Sequence, residues 1–288
     1  MSVSYYRRRA WRTKTLIAIG LAITLAGWPI FITAATYEAS MFNDPTEPDA
    51  AFEQRWREQL TDSVTVGKLI LLKTKMSKFV AIESHAKNHA KNDRQRQAVL
   101  ILHDMRGHPD WQNVIGPLRR NLPELGWSTL SLQMPVLGVD TGMRDHSILL
   151  NFSPERITAG IAHLQQQGYK RIVILGGGLG SIMAASYLQE NPNTPIEAFV
   201  GVSMYQLNYT DPRMWIVDTL AKLTLPILDI YSSDDRYGSQ YSAKGRREAG
   251  AAAENAQYTQ MMIDGTDHDF TGKESILIDD IAKWLNKR

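Results

Sequence analysis

The residues best suited to acid–base or nucleophilic chemistry lie in four short polar segments, each of which follows an apolar run. The first segment holds His103 and Asp104, and the second is the glycine-rich stretch 176–181. The third contains Asp235 and the fourth contains His268. An aspartate that is hydrogen-bonded to a histidine fixes the tautomer of the imidazole and stabilises its charged form. The sequence therefore predicts an Asp–His pair beside a glycine-rich turn.

Alternating strand and helix patterns separate these segments. Apolar and β-branched runs predict strands over residues 64–73, 78–84, 98–102, 127–133, 171–175, 198–202, 226–231 and 257–263. Amphipathic patterns predict helices over residues 51–60, 114–122, 154–167, 212–223, 242–253 and 274–286, and another from the glycine-rich turn to residue 190. This alternation predicts an α/β fold: a mostly parallel sheet with helices on both faces and two antiparallel strands at its edge. Ligands in such folds bind at the carboxyl ends of the strands, where the four polar segments lie.

The order of the four segments resembles that of the α/β-hydrolases. In that fold a loop after an early strand supplies oxyanion donors, a Gly-x-Ser-x-Gly turn presents the nucleophile, and an acid and a histidine follow. The segments 103–111, 131–135 and 265–270 narrow the resemblance to an uncharacterised α/β-hydrolase-like family of proteobacterial envelope proteins. The resemblance covers about residues 64–286.

The resemblance implies a role for several individual residues. Asp235 and His268 would be the acid and the base of a triad, with Asp234 as the alternative acid. The oxyanion loop would be formed by His103, Asp104, Met105 and Leu179. His103 has a second interpretation, in which it supports the loop through hydrogen bonds and takes no part in chemistry.

Gly178 departs from the pattern because it stands where the nucleophilic serine is expected. Glycine keeps the tight turn but supplies no attacking oxygen. Ser181 is a candidate substitute, although a helical residue three positions on would point almost a turn away. Asp104 could instead activate water with the help of His268. Three functions stay open: a binding or scaffolding pseudo-hydrolase, an ester hydrolase with a non-standard nucleophile or activated water, and a purely structural domain.

Composition excludes several other classes of function. The 288 residues contain no cysteine, which excludes disulfides, Cys-ligated zinc and iron–sulfur clusters. No cofactor is predicted, because the glycine spacing fits neither the dinucleotide-binding pattern nor the P-loop. No metal is predicted either, since His103, His108 and Asp110 share one loop without a distant fourth ligand. Beyond the first 35 residues acids slightly outnumber bases, so no nucleic-acid partner is expected.

Residues 1–37 predict a signal peptide or a transmembrane anchor. Five basic residues precede residues 15–37, which carry no charge. As a helix this segment would span roughly 34 Å, enough for a hydrocarbon core of about 30 Å. The basic residues favour the cytoplasmic side, so the rest of the chain would face the periplasm. Small residues at 33–35 permit cleavage, whereas the length favours retention in the inner membrane.

The remaining chain is predicted to form a spacer and one domain. Residues 38–63 are interpreted as a juxtamembrane spacer, and residues 64–288 as the α/β-hydrolase-like domain. The segments 137–152 and 204–215 are long for connections, and two interpretations stay open: they could cover a cleft, or they could pack into the core. Their Met and aromatic side chains suit a small apolar or envelope-derived ligand.

Overall fold

The computed structural model describes residues 46–87, 96–207, 211–253 and 257–288. The predicted signal peptide or anchor of residues 1–37 lies outside these ranges. Within them, no helix is both long enough and apolar enough to span a membrane.

The strands of the described residues form one eight-stranded sheet. They are β1 (Lys68–Lys73), β2 (Lys78–Ser84), β3 (Gln97–Leu102), β4 (Ser128–Leu132), β5 (Arg171–Gly177), β6 (Ile196–Val202), β7 (Ile227–Asp234) and β8 (Tyr258–Asp267). Their order across the sheet is β1-β2-β4-β3-β5-β6-β7-β8. Every pair from β4 to β8 is parallel, whereas β2 is antiparallel to both β1 and β4. The predicted mostly parallel sheet is therefore confirmed.

Helices cover both faces of this sheet, as predicted. They are α1 (Ala50–Ser63), α2 (Ile115–Asn121), α3 (Ser153–Gln166), α4 (Leu179–Glu190), α5 (Ile216–Leu220), α6 (Ser239–Ala252) and α7 (Glu274–Asn286). Apolar residues of α3, α4 and α5 share one core cluster, and those of α2 and α7 share another on the opposite face. The carboxyl ends of the parallel strands are thus left between two layers of helix.

The central strands are buried on both faces, which explains their nearly continuous apolar sequences. In β3, Leu100 and Leu102 belong to the core under α3 and α4. Their neighbours Val99 and Ile101 belong to the core under α2 and α7. Two-sided burial therefore fixes the position of β3, from whose end the loop with Asp104 emerges.

The helix of the predicted spacer packs against the sheet domain. Glu53 of α1 forms an ion pair with Arg156 of α3, with an oxygen–nitrogen distance of 2.9 Å. Leu60, which is 1% exposed, joins Val80 and Ile82 of β2 in a small apolar cluster. The structure consequently groups α1 with the same compact unit as the sheet.

The helix predicted over residues 212–223 is broken in the structure. A short 3₁₀ turn occupies Pro212–Met214, and α5 begins only at Ile216. Trp215 between them has φ −85° and ψ 84°, which is outside the helical region. The prediction of one continuous helix is therefore wrong, and the cause is the backbone of Trp215.

Candidate active site

The glycine-rich stretch makes the turn between β5 and α4. β5 ends at Gly177 and α4 begins at Leu179, so Gly178 alone connects them. Gly178 has φ 49° and ψ −117°, a conformation that glycine adopts far more easily than other residues. A Cβ on Gly176 or Gly180 would overlap backbone atoms of the same turn or of the β3 loop. The turn is thus as tight as the sequence predicted, and the reason is the close approach of backbone to backbone.

Asp235 and His268 lie side by side, each just after the end of a neighbouring strand. His268 Nδ1 donates a hydrogen bond to Asp235 Oδ2 at 2.9 Å. Ser239 Oγ donates to the same oxygen at 2.6 Å, and the amide of Tyr237 donates to Oδ1 at 2.7 Å. Asp234, the alternative acid, is exposed at the end of β7. The structure therefore brings Asp235, and not Asp234, to the histidine.

Asp104 is the third member of the cluster. Its Oδ2 lies 3.0 Å from His268 Nε2. Its Oδ1 accepts hydrogen bonds from the amides of Met105, at 2.7 Å, and Leu179, at 2.6 Å. The two amides that the resemblance assigned to an oxyanion loop are thus bound to a side chain of the protein itself.

The Asp104 carboxylate lies in the space that a side chain at position 178 would occupy. A Cβ placed on Gly178 would overlap the carboxyl carbon and both carboxylate oxygens of Asp104. Sequence reasoning placed Asp104 in this loop and left activation of a water molecule, with the help of His268, as one alternative. It missed the direct hydrogen bond and the overlap with position 178, because both depend on how the β3 loop turns over the β5–α4 turn.

The two carboxylates control the charge of His268. Burial alone would lower the pKa of His268, but hydrogen bonds to Asp104 and Asp235, and their charges, raise it to about 9. Burial acts to raise the pKa of Asp235, and the hydrogen bonds from His268 and Ser239 outweigh it and hold that pKa below its usual value. At neutral pH the cluster is therefore an imidazolium between two carboxylates.

His103 holds the loop that carries Asp104 through hydrogen bonds, and it does not line the cavity over the cluster. Its Nδ1 lies 2.7 Å from the carbonyl oxygen of Asp104, and its Nε2 accepts from the amide of Met134 at 2.9 Å. Burial lowers the pKa of His103 to about 3, so the ring is neutral, with Nδ1 as its donor. These bonds fasten the Asp104 loop to the end of β4.

Ser181, the candidate substitute nucleophile, points away from the cluster. Its hydroxyl donates to the carbonyl oxygens of Gly176, at 2.5 Å, and Val202, at 3.1 Å. The residue is completely buried between β5 and β6. The Ser181 hydroxyl therefore stabilises the backbone, and a ligand cannot reach it.

The other polar residues of the β3 loop are engaged elsewhere. Asp110 accepts from Arg119 at 2.8 Å, and His108 packs against the rings of Trp56 and Trp111. Across the described ranges, no three His, Asp or Glu side chains are grouped closely enough to hold a metal ion.

A cavity of about 220 Å³ opens over the cluster. Asp104, Gly178 and His268 line it on one side. The other lining side chains include Met105, Arg106, Trp111, Val114, Ile115 and Arg236. Asp104 is 20% exposed at its side chain, whereas Asp235 is fully buried. Asp104 is therefore the carboxylate of the cluster that a ligand can reach.

Strained backbone is concentrated around this cavity. Three non-glycine residues of the described chain have positive φ, namely Arg106, Ser203 and Phe270. Arg106 and Ser203 line the cavity, and Ser203 Oγ donates to the carbonyl oxygen of His268 at 3.1 Å. Such conformations are costly and tend to cluster at functional sites.

The two segments that could cover a cleft do not line this cavity. No described residue of 137–152 or 204–215 is among its walls. The second segment instead contributes Gln206 and Trp215 to a separate, more open groove of about 650 Å³ beside Tyr237. Residues 208–210 of that segment lie outside the described ranges. Trp215 lines that groove together with Tyr241, Ser242 and Gly245 of α6.

The chain belongs to a protein family. The profile of the family described as "Protein of unknown function (DUF3530)" matches residues 85–146 and 140–287, which together make up more than half of the sequence. No curated protein matches the chain.

Solved structures with the same fold include several esterases and hydrolases. Est1E from Butyrivibrio proteoclasticus is 14% identical, with a TM-score of 0.59 over 77% of this chain and 98% of its own. The Pyrococcus furiosus esterase Pf2001 is 13% identical, with a TM-score of 0.60 over 77% of this chain and 90% of its own. An α/β serine hydrolase homologue from Coxiella burnetii is 14% identical, with a TM-score of 0.56 over 77% of this chain and 99% of its own. The chain therefore has the α/β-hydrolase fold.

Proposed function

We propose that this protein is a pseudo-hydrolase toward carboxylic esters, which binds a small ligand in the cavity above Asp104 and His268. The fold supplies the frame of a hydrolase, but position 178 supplies no hydroxyl group. The ligand would be small and at least partly apolar, because Trp111, Val114 and Ile115 form one wall of the cavity.

One observation carries the proposal: the Asp104 carboxylate occupies the three groups that a serine hydrolase uses to stabilise the oxyanion and to activate its nucleophile. It accepts from the amides of Met105 and Leu179 and from His268 Nε2. These donors would otherwise stabilise the oxyanion and activate the nucleophile. An ester carbonyl cannot reach them while the carboxylate is in place.

The rival function, ester hydrolysis through water activated by His268, has less support. A general base must be unprotonated and within reach of the water. Both ring nitrogens of His268 are bonded to carboxylates, and its pKa of about 9 keeps it protonated at neutral pH. The resting cluster therefore offers no base to an incoming water molecule.

The proposal is tested by restoring the missing hydroxyl and clearing its space. Gly178→Ser alone should stay inactive, because its side chain would collide with Asp104. The double variant Asp104→Gly/Gly178→Ser frees both amides and His268 Nε2, and should hydrolyse p-nitrophenyl butyrate and react with a fluorophosphonate at residue 178. The wild type should do neither.

Two outcomes would contradict the pseudo-hydrolase. One is wild-type ester hydrolysis that disappears in His268→Ala. The other is fluorophosphonate labelling of the wild type at any serine. The matched control Asp104→Gly, which has cleared space but no hydroxyl, should match the wild type in both assays.

We further propose that residues 15–37 tether the domain to the inner membrane on its periplasmic side, or direct its export and are then removed. The uncharged stretch and the five preceding basic residues support this. Protease added to spheroplasts should degrade the domain, and the mass of the mature chain distinguishes a retained anchor from a cleaved signal peptide. A chain protected from protease in spheroplasts and found in the soluble cell fraction would contradict it.

A further inference from the structure

We infer that the open groove beside Tyr237, which runs between α5 and α6, is a second binding site and takes an uncharged carbohydrate. Of the described residues that line this groove, none belongs to the Asp104–His268 cluster. The inference goes beyond the proposed function, because it names a different site and a different class of ligand. The pseudo-hydrolase therefore stands or falls independently of it.

One wall of the groove is a stripe of residues along α6. Gly238, which is the N-cap of the helix, lines the groove together with Tyr241, Ser242 and Gly245. These residues stand at positions i, i+3, i+4 and i+7, a spacing that places them on one face of a helix. The face presents an aromatic ring and a hydroxyl group between two positions that have no side chain.

The other wall is formed where the chain leaves the break at Trp215 and enters α5. Trp215, Val217 and Asp218 line the groove there. The side chain of Trp215 is half-buried, so part of its ring faces solvent. Tyr241 on the first wall is 86% exposed, which is unusual for a large aromatic residue. The groove therefore offers two accessible aromatic rings, one on each wall.

Gly245 is the observation that points to a ligand. It is the seventh of the fourteen residues of α6, where glycine is less stable than alanine. Gly250 of the same helix has a packing reason, because its Cβ would lie 2.6 Å from the ring of Tyr258. A Cβ on Gly245 would meet only Val217, at 3.5 and 3.7 Å, which are ordinary contact distances. Packing thus does not require glycine at 245, and what the glycine provides is open space in the groove.

The chemistry of the walls matches that of a sugar. A sugar ring carries C–H groups on its faces and hydroxyl groups around its edge. The C–H faces can pack on the rings of Trp215 and Tyr241. The hydroxyl groups can donate to Asp218, since an ionised carboxylate only accepts hydrogen bonds. Asp218 is exposed and has no ion-pair or hydrogen-bond partner in the part of the chain that the structure describes, so both of its oxygens are available.

Charge and size narrow the class of ligand further. Asp218 is the only formally charged residue among the described residues of the walls, so an acidic or phosphorylated sugar would be repelled. The volume of about 650 Å³ is within the range of small-molecule sites. A compact cation bound by aromatic rings lies within about 6 Å of each of them. A groove that is open along its length instead suits a short chain of sugar rings.

The experiment is a titration of the purified full chain with three neutral trisaccharides: cellotriose, maltotriose and triacetylchitotriose. The protein is kept in a detergent without sugar groups, and binding is measured by calorimetry and by tryptophan fluorescence. At least one trisaccharide should bind with a dissociation constant of about 1 mM or lower. Tyr241→Ala should weaken that binding about tenfold, because stacking on one ring is lost. Asp218→Asn should weaken it about fivefold, because hydrogen bonds to a neutral amide are weaker than those to a carboxylate.

A variant that fills the groove locates the site. Gly245→Leu should abolish binding while the midpoint of thermal unfolding stays at or above that of the wild type, because leucine favours the helix. The matched control Arg247→Leu adds the same side chain at an exposed position of α6 that does not line the groove, and should bind like the wild type.

Three results would overturn the inference. The first is that none of the three trisaccharides binds the wild type. The second is binding that persists unchanged in both Gly245→Leu and Tyr241→Ala, since the sugar would then occupy another place. The third is binding of tetramethylammonium in this groove without binding of any trisaccharide, which would make the ligand a cation. Should Gly245→Leu fail to fold, the exposed Tyr241→Ala variant decides between the first two walls of evidence and their refutation.

Discussion

Two clusters of paired charges lie along β7, and they differ in what surrounds them. Near the start of the strand, Asp229 pairs with Arg246 at 2.8 Å, and both side chains are completely buried. Just beyond its end, Asp235 pairs with His268, which also contacts Asp104. The first cluster is closed on all sides, whereas the second presents a carboxylate to a cavity.

The contrast shows how a structural ion pair differs from a candidate site made of similar groups. Asp229 Oδ2 also accepts from Tyr258 and Gln260, at 2.6 and 2.8 Å, so this oxygen has three donors, and Oδ1 accepts from Arg246 at 3.1 Å. Arg246 carries a permanent charge, whereas His268, with a pKa of about 9, can still lose its proton in mildly alkaline solution. A closed, permanently charged pair contributes stability alone, while an exposed, titratable one can also respond to a ligand.

The largest effect should come from opening the closed cluster. Arg246→Met would leave the charge of Asp229 buried without its partner, and should lower the free energy of unfolding by about 3–5 kcal/mol. Urea denaturation measures this. The control is Arg247→Met on the same helix, where the exposed side chain should have almost no effect. Equal losses in the two variants would remove the distinction between the clusters.

The titratable cluster should make stability depend on pH. The folded-state pKa of His268, about 9, lies above its unfolded value near 6.5, so its contribution is complete below pH 6.5 and is lost as the pH rises through 9. The shift corresponds to about 3 kcal/mol. Unfolding measured across this range should show that decline in the wild type and a smaller one in Asp104→Asn. His103 is neutral in the folded state throughout this window, but in the unfolded state it loses its proton near pH 6.5, so the decline due to His268 is read above pH 7. A wild-type profile as flat as that of His268→Gln would contradict the assignment.

A smaller effect should follow from adding one methyl group beside Asp104. Gly178→Ala forces the carboxylate out of its position and should cost about 2 kcal/mol more than Gly265→Ala. Gly265 is the matched control because its φ is also positive, at 66°, but no atom lies within 4 Å of its Cβ position. Thermal or chemical unfolding of the two variants compares a positive-φ glycine whose Cβ position is filled with one whose Cβ position is open. Equal losses would mean that Asp104 does not fill the space.

The smallest effect tests the residue that joins the two clusters. Ser239 donates its hydroxyl to Asp235, while its carbonyl oxygen accepts from Arg246. Ser239→Ala removes only the first bond and should lower the free energy of unfolding by about 1 kcal/mol. The pKa of Asp235 should rise as well, which carbon-detected NMR titration can follow. An unchanged Asp235 pKa would show that the hydroxyl does not stabilise this carboxylate.

Sequence patterns predicted the fold well where burial alone determines it. β2 and α7 have the predicted bounds, because apolar periodicity directly reflects contact with a core. The helix near Trp215 was mispredicted because its break depends on a single backbone conformation. The packing of α1 was also missed, since its ion pair with Arg156 joins residues 103 positions apart.

The candidate site was predictable in its parts but not in its arrangement. The order of turn, acid and histidine identified Asp235 and His268, and the structure places them in contact. The position of Asp104 could not be read from the chain, because it depends on a loop that crosses to a turn 75 residues away. Its contact with His268 spans 164 positions. Such contacts are set by tertiary packing, which leaves no local signal.

The shared space of Asp104 and Gly178 also determines the order of mutational steps by which this chain could acquire a serine at residue 178. If residue 178 changes first, its new Cβ overlaps the carboxyl group of Asp104 and destabilises the protein. Shortening residue 104 first leaves the turn intact and makes the later change tolerable. A serine at residue 178 is therefore tolerated in one order only, after residue 104 has been shortened.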